Sequence, residues 1–450
     1  MPQLKLKRKK TNAKPTLHTK TARAERLLSF LQKFKPVPKE WKGAEGGAEA
    51  APVLLPCNNY AELIASWQGA MQWTEGLDKA LSVMLSAVTS TMTLGDQLWV
   101  KVIGPASCGK STLCEAVSVN KNYVMAKSTF RGFHSGYGDG EQDHSLISQV
   151  SGKTLVTKDG DTLIQSPNLN QILSEARDLY DTVSRTSYRN KASKDYEGIR
   201  MTWILCGTAS LKCMDSSELG ERFLDCIIMD GIDDVMEDKI LLEVAIRADK
   251  NMSIEATNKG DGQQDLSMQK AMQMTGGYVG FLRENCISLM ENINFSHDAL
   301  YKCTRYGKFV AYMRSRPSLQ QDERAEREFA ARLAIQHTRL AKCLAAVLNK
   351  TEVDSEVLER AKAVALDTSR GVVYDIAQAL HTHDETGLEN SQVAMMVGCT
   401  TKEIGPLMKF LSKILAVESF RKKVNSGVKG RMKWRLRPQV KTLFDEVHST

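Results

Sequence analysis

Apolar residues take up a helical rhythm from Tyr60 onward, with Leu77, Leu81, Met84, Leu85 and Val88 three and four positions apart. A short, mostly apolar run comes next, Leu98-Trp99-Val100-Lys101-Val102-Ile103, bounded by Gly-Asp before and Gly-Pro after, which predicts a buried strand. Similar runs at Lys153–Thr157 (KTLVT), 201–206 (MTWILC) and 225–229 (DCIIM) predict further strands, with helical stretches such as Leu169–Tyr180 between them. Strands alternating with helices imply an α/β fold, a parallel sheet with helices on both faces. Residues 236–375 carry no strand pattern and read as several helices.

The final segment changes character. Asn390–Val397 and 401–415 have helical spacing and flank Gly398-Cys399-Thr400, the spacing of a helix-turn-helix. Two basic strand patterns come next, 417–424 (VESFRKKV) and 431–437 (RMKWRLR), around a turn NSGVKG. Together they predict a C-terminal winged helix with Trp434 and Phe420 as core anchors. Its basic residues Arg421, Lys422, Lys423, Lys429, Arg431 and Lys433 favour DNA contact, although such domains also dock proteins. The first 55 residues hold the run Lys5-Leu6-Lys7-Arg8-Lys9-Lys10, a short helical pattern at 21–34, Pro36, Pro38 and a Gly/Ala-rich stretch. That is too little apolar surface to fold alone. The expected organisation is a basic tail (1–55), a nucleotide-binding core (56–235), a helical lid (236–380) and the winged helix (381–450).

Composition excludes more than it identifies. At 42% hydrophobic and 25% charged residues the 450-residue chain has the mix of a soluble globular protein with sizeable cores. No stretch is apolar and long enough to predict a membrane span, and the N-terminus lacks the apolar segment of a secretory signal. The ten cysteines are scattered, with no Cys-x-x-Cys pair, so free thiols in a reducing cytoplasm are expected rather than disulfides or zinc. The net charge of +8 hides an uneven distribution. Residues 1–42 hold thirteen Lys/Arg against two acids, residues 401–450 twelve against four, and the body between them is acidic. Contacts with a polyanion are therefore expected in particular segments.

One motif carries definite chemistry. Gly104-Pro105-Ala106-Ser107-Cys108-Gly109-Lys110-Ser111-Thr112 matches G-x-x-x-x-G-K-[ST] in full, after a predicted strand and before a helical stretch at 112–119. Glycines let backbone N–H groups curl around a phosphate, and the helix after the loop directs its positive end at the same anion. Lys110 is expected to reach the β and γ phosphates of ATP and Ser111 to ligate Mg²⁺. Hydrolysis also needs an acidic strand end, and the best match is Thr154-Leu-Val-Thr-Lys158-Asp159-Gly160-Asp161. Asp159 is assigned to the metal or the attacking water, with Asp161 as its alternative. Lys158 stands where the usual acidic doublet would begin.

These two motifs and two segments further along the chain resemble the AAA+ branch of P-loop ATPases. Trp203-Ile-Leu-Cys-Gly207-Thr208 is similar to the sensor-1 strand, and the resemblance puts Thr208 beside the γ-phosphate. Leu219-Gly-Glu221-Arg222-Phe223 is similar to the box that carries an arginine finger. The resemblance implies that Arg222 completes a neighbouring subunit's site in a ring. Within AAA+, the chain looks most like MCM-like replicative helicases and phage-type ATPases. The segment 184–194 occupies the place of the hairpin that those rings insert before sensor 1. It holds Arg185, Arg189, Lys191 and Lys194, which suit backbone tracking on single-stranded DNA. The helical stretch 327–348 is similar to the lid that carries sensor 2, with Arg332 as the implied γ-phosphate contact and Arg327 as the alternative. No MCM amino-terminal zinc domain is present, and Lys158 departs from the family's doublet.

The function this implies is an ATP-dependent DNA translocase or helicase of phage replication, a homo-hexamer working with replisome proteins in a bacterial cytoplasm and without a membrane partner. The alternative is an ATP switch or helicase loader that remodels a replication partner and unwinds nothing. A transcription regulator using the winged helix on a fixed operator is a third reading.

Overall fold

The five strands that build the main sheet of the computed structural model are β1 (Trp99–Ile103), β2 (Val124–Ala126), β3 (Lys153–Thr157), β6 (Met201–Gly207) and β7 (Phe223–Ile227). They run parallel in the order β2-β3-β6-β1-β7. The structure describes residues 53–135, 143–187, 193–214, 222–228, 234–252, 266–317, 327, 329–423 and 429–449. All of the predicted basic tail (1–55) but residues 53–55, including its helical stretch at 21–34, lies outside those residues.

The strands are apolar on both sides because both sheet faces are covered. Val100, Val102, Ile204, Cys206, Leu224 and Cys226 join one buried cluster, together with Leu81, Met84 and Leu85 of the Glu75–Ser90 helix. Trp99, Ile103, Trp203, Leu205 and Phe223 point the other way, into a second cluster with Leu173, Leu179 and Tyr180 of the Leu169–Tyr180 helix. Trp99, Trp203 and Phe133 are fully buried, each removing apolar area worth roughly 2–3 kcal/mol. Lys101 is a lysine inside a buried strand. Its Nζ donates to Leu211 O (3.3 Å), lies 4.0 Å from Asp225 and sits over the Phe223 ring.

Strand β7 is an edge, and helix side chains cap it. The N–H groups of Asp225 and Ile227 donate to Thr368 Oγ1 (2.9 Å) and Asp367 Oδ2 (2.8 Å), both on the Ser355–Ser369 helix. An exposed parallel edge would invite pairing with another chain, and these two side chains occupy it. Between the Leu169–Tyr180 helix and β6, an antiparallel hairpin pairs β4 (Val183–Ser187) with β5 (Ser193–Glu197).

Between 236 and 375 the described residues form helices, as expected, including Leu266–Asn292, His297–Met313 and Ala331–Val347. The C-terminal segment has helices Asn390–Val397 and Thr401–Lys413, joined through Gly398 in the left-handed region (φ 72°). After them come an antiparallel pair, β8 (Val417–Lys423) with β9 (Lys429–Leu436), and a Pro438–His448 helix that the sequence reading did not predict. Trp434 is buried, whereas Phe420 is half-buried beneath the Arg435 guanidinium. Residues 51–450 form one compact unit.

One buried group gives the fold a pH dependence. His337 is fully buried on the Ala331–Val347 helix, its Nδ1 bonded to Leu333 O at 2.8 Å, and burial pushes its imidazole down to about 4. A histidine with a depressed folded pKa stabilises fully above its unfolded value of about 6.5, and that stability is lost as pH falls toward 4. Going from pH 7 to pH 5 should cost about 2 kcal/mol through this residue alone. In urea titrations at the two pH values, His337→Leu should lower stability at pH 7 yet shrink the pH-dependent loss. An unchanged loss in the variant would show that other groups carry it.

Candidate functional site

Parallel strands end together, so β1, β3 and β6 deliver their C-terminal residues to one edge of the sheet. Strand β1 lies between β6 and β7 and passes straight into the Gly104–Gly109 loop, whose first N–H (Gly104) is fixed to Gly207 O at 3.2 Å. Ser107 (φ 64°) and Gly109 (φ 90°) are both left-handed, a backbone curl that turns N–H groups inward as an anion cradle. The Lys110–Ser118 helix starts directly after Gly109 and aims its N-terminus into the same space. Lys110 Nζ folds onto the loop, donating to Gly104 O (2.7 Å) and Pro105 O, and lies 3.6 Å from Cys108 Sγ. Pro105, Ala106, Ser107 and Ser111 are exposed, while Cys108, Gly109, Lys110 and Thr112 are half-buried. The loop is thus open to a ligand on one side.

The two acids at the end of β3 take different places. Asp159 is exposed and caps the Gly160–Ile164 helix, accepting from Thr162 N (3.1 Å) and Thr162 Oγ1 (2.5 Å). Asp161 reaches across to the end of β6. It accepts from Thr208 N (2.9 Å), Thr208 Oγ1 (3.1 Å) and the Ser210 hydroxyl. A Cβ at Gly207 would come 2.9 Å from Leu211 and 3.1 Å from Asp161, so an added side chain would push against both. Partial burial favours the neutral acid, but hydrogen bonds from Ser210 and Thr208 and the charge of Lys110 hold the Asp161 carboxyl below its ordinary range. The alternative acid, rather than the first choice, is therefore the one joined to Thr208 near Lys110. Lys158 is bound to Glu115 of the Lys110–Ser118 helix at 3.0 Å. That pair ties the chain after β3 to the Lys110–Ser118 helix.

Ser111 and Asp159 offer one hydroxyl and one carboxylate. This donor set fits Mg²⁺, which takes phosphate oxygens and waters for its other positions. Among the described residues there is no cluster of three or more His, Cys, Asp or Glu that could hold a metal by itself.

Arg222 and Arg332 lie at the other edge of the sheet. Arg222 immediately precedes Phe223, which is level with Trp99 at the start of β1, and so lies about 16 Å along the strand direction from the level of Ile103. Its guanidinium is buried (5% exposed), 3.1 Å from Asp181 and stacked over Tyr180. It is engaged inside its own subunit, where the resemblance had it reaching outward. Arg332 is half-buried in the same region, close enough for its charge to act on both Arg222 and Tyr180. Arg327, its alternative, stacks over Tyr312. Neither Arg222 nor Arg332 approaches the phosphate loop of its own chain.

The cations proposed for DNA are also partly engaged. Arg185 is exposed but lies 3.0 Å from Glu197 across the hairpin, and Lys194 is bound to Asp143 at 2.7 Å. Arg189 and Lys191 lie outside the described residues. Arg421, Lys422 and Lys423 end β8, and Lys429 opens β9. Arg431 is exposed, 3.3 Å from Glu389, while Lys433 donates to Thr386 O. The sequence reading missed Lys402, Lys409 and Lys413, all exposed on the Thr401–Lys413 helix. Their offsets of seven and four place them on one face, a signal the 3.6-residue period already contained.

Compared with known proteins, the chain matches no family model, and no curated protein matches it. Among the described residues no helix is long and apolar enough to cross a membrane.

Proposed function

We propose that the chain is an ATP-driven motor on DNA, a translocase or helicase of the AAA+ type with a helical lid and a C-terminal winged helix. The observation that carries this reading is the convergence of three strand ends on one open cradle: the Gly104–Thr112 loop with Lys110 after β1, Asp161 after β3, and Thr208 after β6. Its acid is hydrogen-bonded and charged, as activation of a water beside a γ-phosphate requires. Mg²⁺, held by Ser111 and Asp159, would neutralise charge on the phosphates. The hairpin strands Val183–Ser187 and Ser193–Glu197 and the lysine face at 402, 409 and 413 are where single-stranded and duplex DNA would touch. A homo-hexameric ring and replisome partners belong to this reading by resemblance, and Arg222 would have to exchange Asp181 for a neighbour's nucleotide.

The switch or loader reading also has an observation in its favour. Lys158, paired with Glu115, holds a cation where a second acid would assist hydrolysis, and Arg222 is turned inward.

A forked DNA substrate with ATP and Mg²⁺ decides between the two, with particle size recorded alongside. The motor reading expects strand separation that Lys110→Ala abolishes. ATP turnover without strand separation would leave the switch, and no nucleotide binding would end both. In the same assay Lys402→Glu with Lys409→Glu should weaken duplex binding about tenfold or more and flatten its salt dependence by roughly two in log–log slope. Unchanged affinity would remove the winged helix from the DNA contact.

A further inference from the structure

Two thiols meet between the helix that follows the phosphate loop and the strand that leads to Thr208. Cys114 stands on the Lys110–Ser118 helix, and Cys206 is the last residue but one of β6. The Cys114 thiol donates to Cys206 Sγ at 2.9 Å, and both side chains are fully buried. Sulfurs joined in a disulfide stand about 2.05 Å apart, so a bond here asks the two to approach by only about 0.9 Å.

Both elements build the nucleotide site. Gly207, next to Cys206, accepts the Gly104 N–H that fixes the start of the loop, and Thr208 after it is bonded to Asp161. The helix carries Lys110 and Ser111 in its first turn, one turn before Cys114. A covalent bond from Cys114 to Cys206 therefore ties two sides of the cradle together, at a spacing set by sulfur and not by a ligand.

The closed fold keeps this pair as thiols. The hydrogen bond from Cys114, and then burial, push the Cys206 thiol well above its ordinary range, against the charge of Lys110. Thiols react far more slowly than thiolates, so oxidation waits for the helix to lift from the strand and for an oxidant small enough to enter. Hydrogen peroxide, little larger than water, meets that need. One thiol takes an oxygen from the peroxide, becoming a sulfenic acid and releasing one water. The neighbouring sulfur then displaces the sulfenic hydroxyl, which leaves with that thiol's proton as a second water. An S–S bond replaces two S–H bonds, the sulfurs give up two electrons together, and the peroxide is reduced to water. A small thiol reverses the bond by exchange. In a reducing compartment such a bond is a transient response and not a structural staple.

We propose that Cys114 and Cys206 are a peroxide-responsive modification site, a reversible disulfide that clamps the phosphate-loop helix to β6 and stops ATP turnover. Its effect on turnover rests on the reading of the loop as an ATP site; formation of the bond does not.

The test uses the full chain as wild type, Cys114→Ser, Cys206→Ala and Cys108→Ser. Each is treated with hydrogen peroxide, its remaining thiols are alkylated, and its peptides are mapped by mass spectrometry beside single-turnover ATP hydrolysis. Wild type should yield peptides linked through Cys114 and Cys206 and lose turnover about tenfold or more, since a displacement of about 1 Å at reacting groups is enough for such a loss. Dithiothreitol should reverse both changes. Cys114→Ser and Cys206→Ala, each compared with its own untreated rate, should stay within about twofold under peroxide. Cys108→Ser should remain as sensitive as wild type. Absence of the linked peptide in wild type overturns the proposal, whatever happens to turnover. So does a linked protein that hydrolyses ATP at its untreated rate, or a loss that Cys108→Ser alone prevents, since that places the reactive thiol in the loop itself. Failure of the ATP reading appears on a separate axis, as untreated wild type that binds no nucleotide, while the peptide map still decides whether the bond forms.

Discussion

Asp161→Asn should lower ATP turnover by about 10²–10³-fold while leaving nucleotide affinity within about threefold. The amide keeps the size of the carboxyl, and its oxygen can still accept from Thr208 N, so the cradle stays closed. What it loses is negative charge beside Lys110, held where a water attacking the γ-phosphate would sit. The depressed carboxyl makes this group a better orienter and charge stabiliser than a strong base. Phosphoryl transfer asks mainly for such orientation and charge. Ser210→Ala, which removes one of the hydrogen bonds to Asp161, should give a smaller loss of about tenfold. Asp159→Asn separates the two acids. It caps its own helix and carries the proposed metal contact, so its loss should appear as a raised Mg²⁺ requirement that excess metal partly repairs. Single-turnover hydrolysis over a Mg²⁺ series reads all three variants. Equal, metal-independent losses at Asp159 and Asp161 would remove the division of labour.

The sequence alone made the Gly104–Thr112 motif legible because its spacing is dictated by backbone chemistry, and the structure sets it at the end of β1, between β6 and β7. Of the two neighbouring acids, the structure joins the alternative, Asp161, to Thr208. Distance along the chain favoured Asp159, whereas a tight helical turn after β3 and the absence of a side chain at Gly207 bring Asp161 to Thr208. That is a three-dimensional accommodation that no spacing rule contains. Arg222 was placed by resemblance, and resemblance does not report that Asp181 and Tyr180 are near enough to hold it.

Element prediction succeeded where periodicity was strong. Lys153–Thr157, Leu169–Tyr180 and Asn390–Val397 appear with the bounds read from the sequence, while the strand expected at 225–229 begins two residues earlier, at Phe223. The three-residue β2 was missed because Val124-Met125-Ala126 is too short to show a period. The Pro438–His448 helix was left unassigned within the predicted 381–450 domain, although Pro438 at its first turn is a recognised start signal. Least legible of all were the side-chain caps on β7, since nothing in the residue pattern signals that a helix more than 130 residues later supplies two hydrogen bonds to a strand.

Those caps make Asp367 the position where a single truncation should cost most. Asp367 is 2% exposed, binds Lys79 at 2.7 Å and accepts the Ile227 N–H. Asp367→Ala leaves a largely buried ammonium and a strand N–H without their shared partner, a loss of roughly 3–5 kcal/mol. Burial raises the Asp367 carboxyl above its ordinary range and outweighs the attraction of Lys79. The site therefore tolerates a neutral occupant better than the ion pair suggests, and Asp367→Asn, which still accepts from Ile227, should cost distinctly less than alanine. Replacing the pair together, Lys79→Met with Asp367→Leu, should be milder than Asp367→Ala alone, because neither charge is then stranded. The damage should also reach the phosphate loop. Lys79 stands on the Glu75–Ser90 helix, whose Leu77 lies against Gly109, so Asp367→Ala should weaken nucleotide binding although it touches no ligand. Amide exchange at Ile227 and Asp225 reads the local effect, and acceleration of about 10² or more corresponds to the lower end of the expected cost. Equal acceleration in the alanine and asparagine variants would mean that the charge on Asp367, rather than its hydrogen bond to the strand, holds this edge closed.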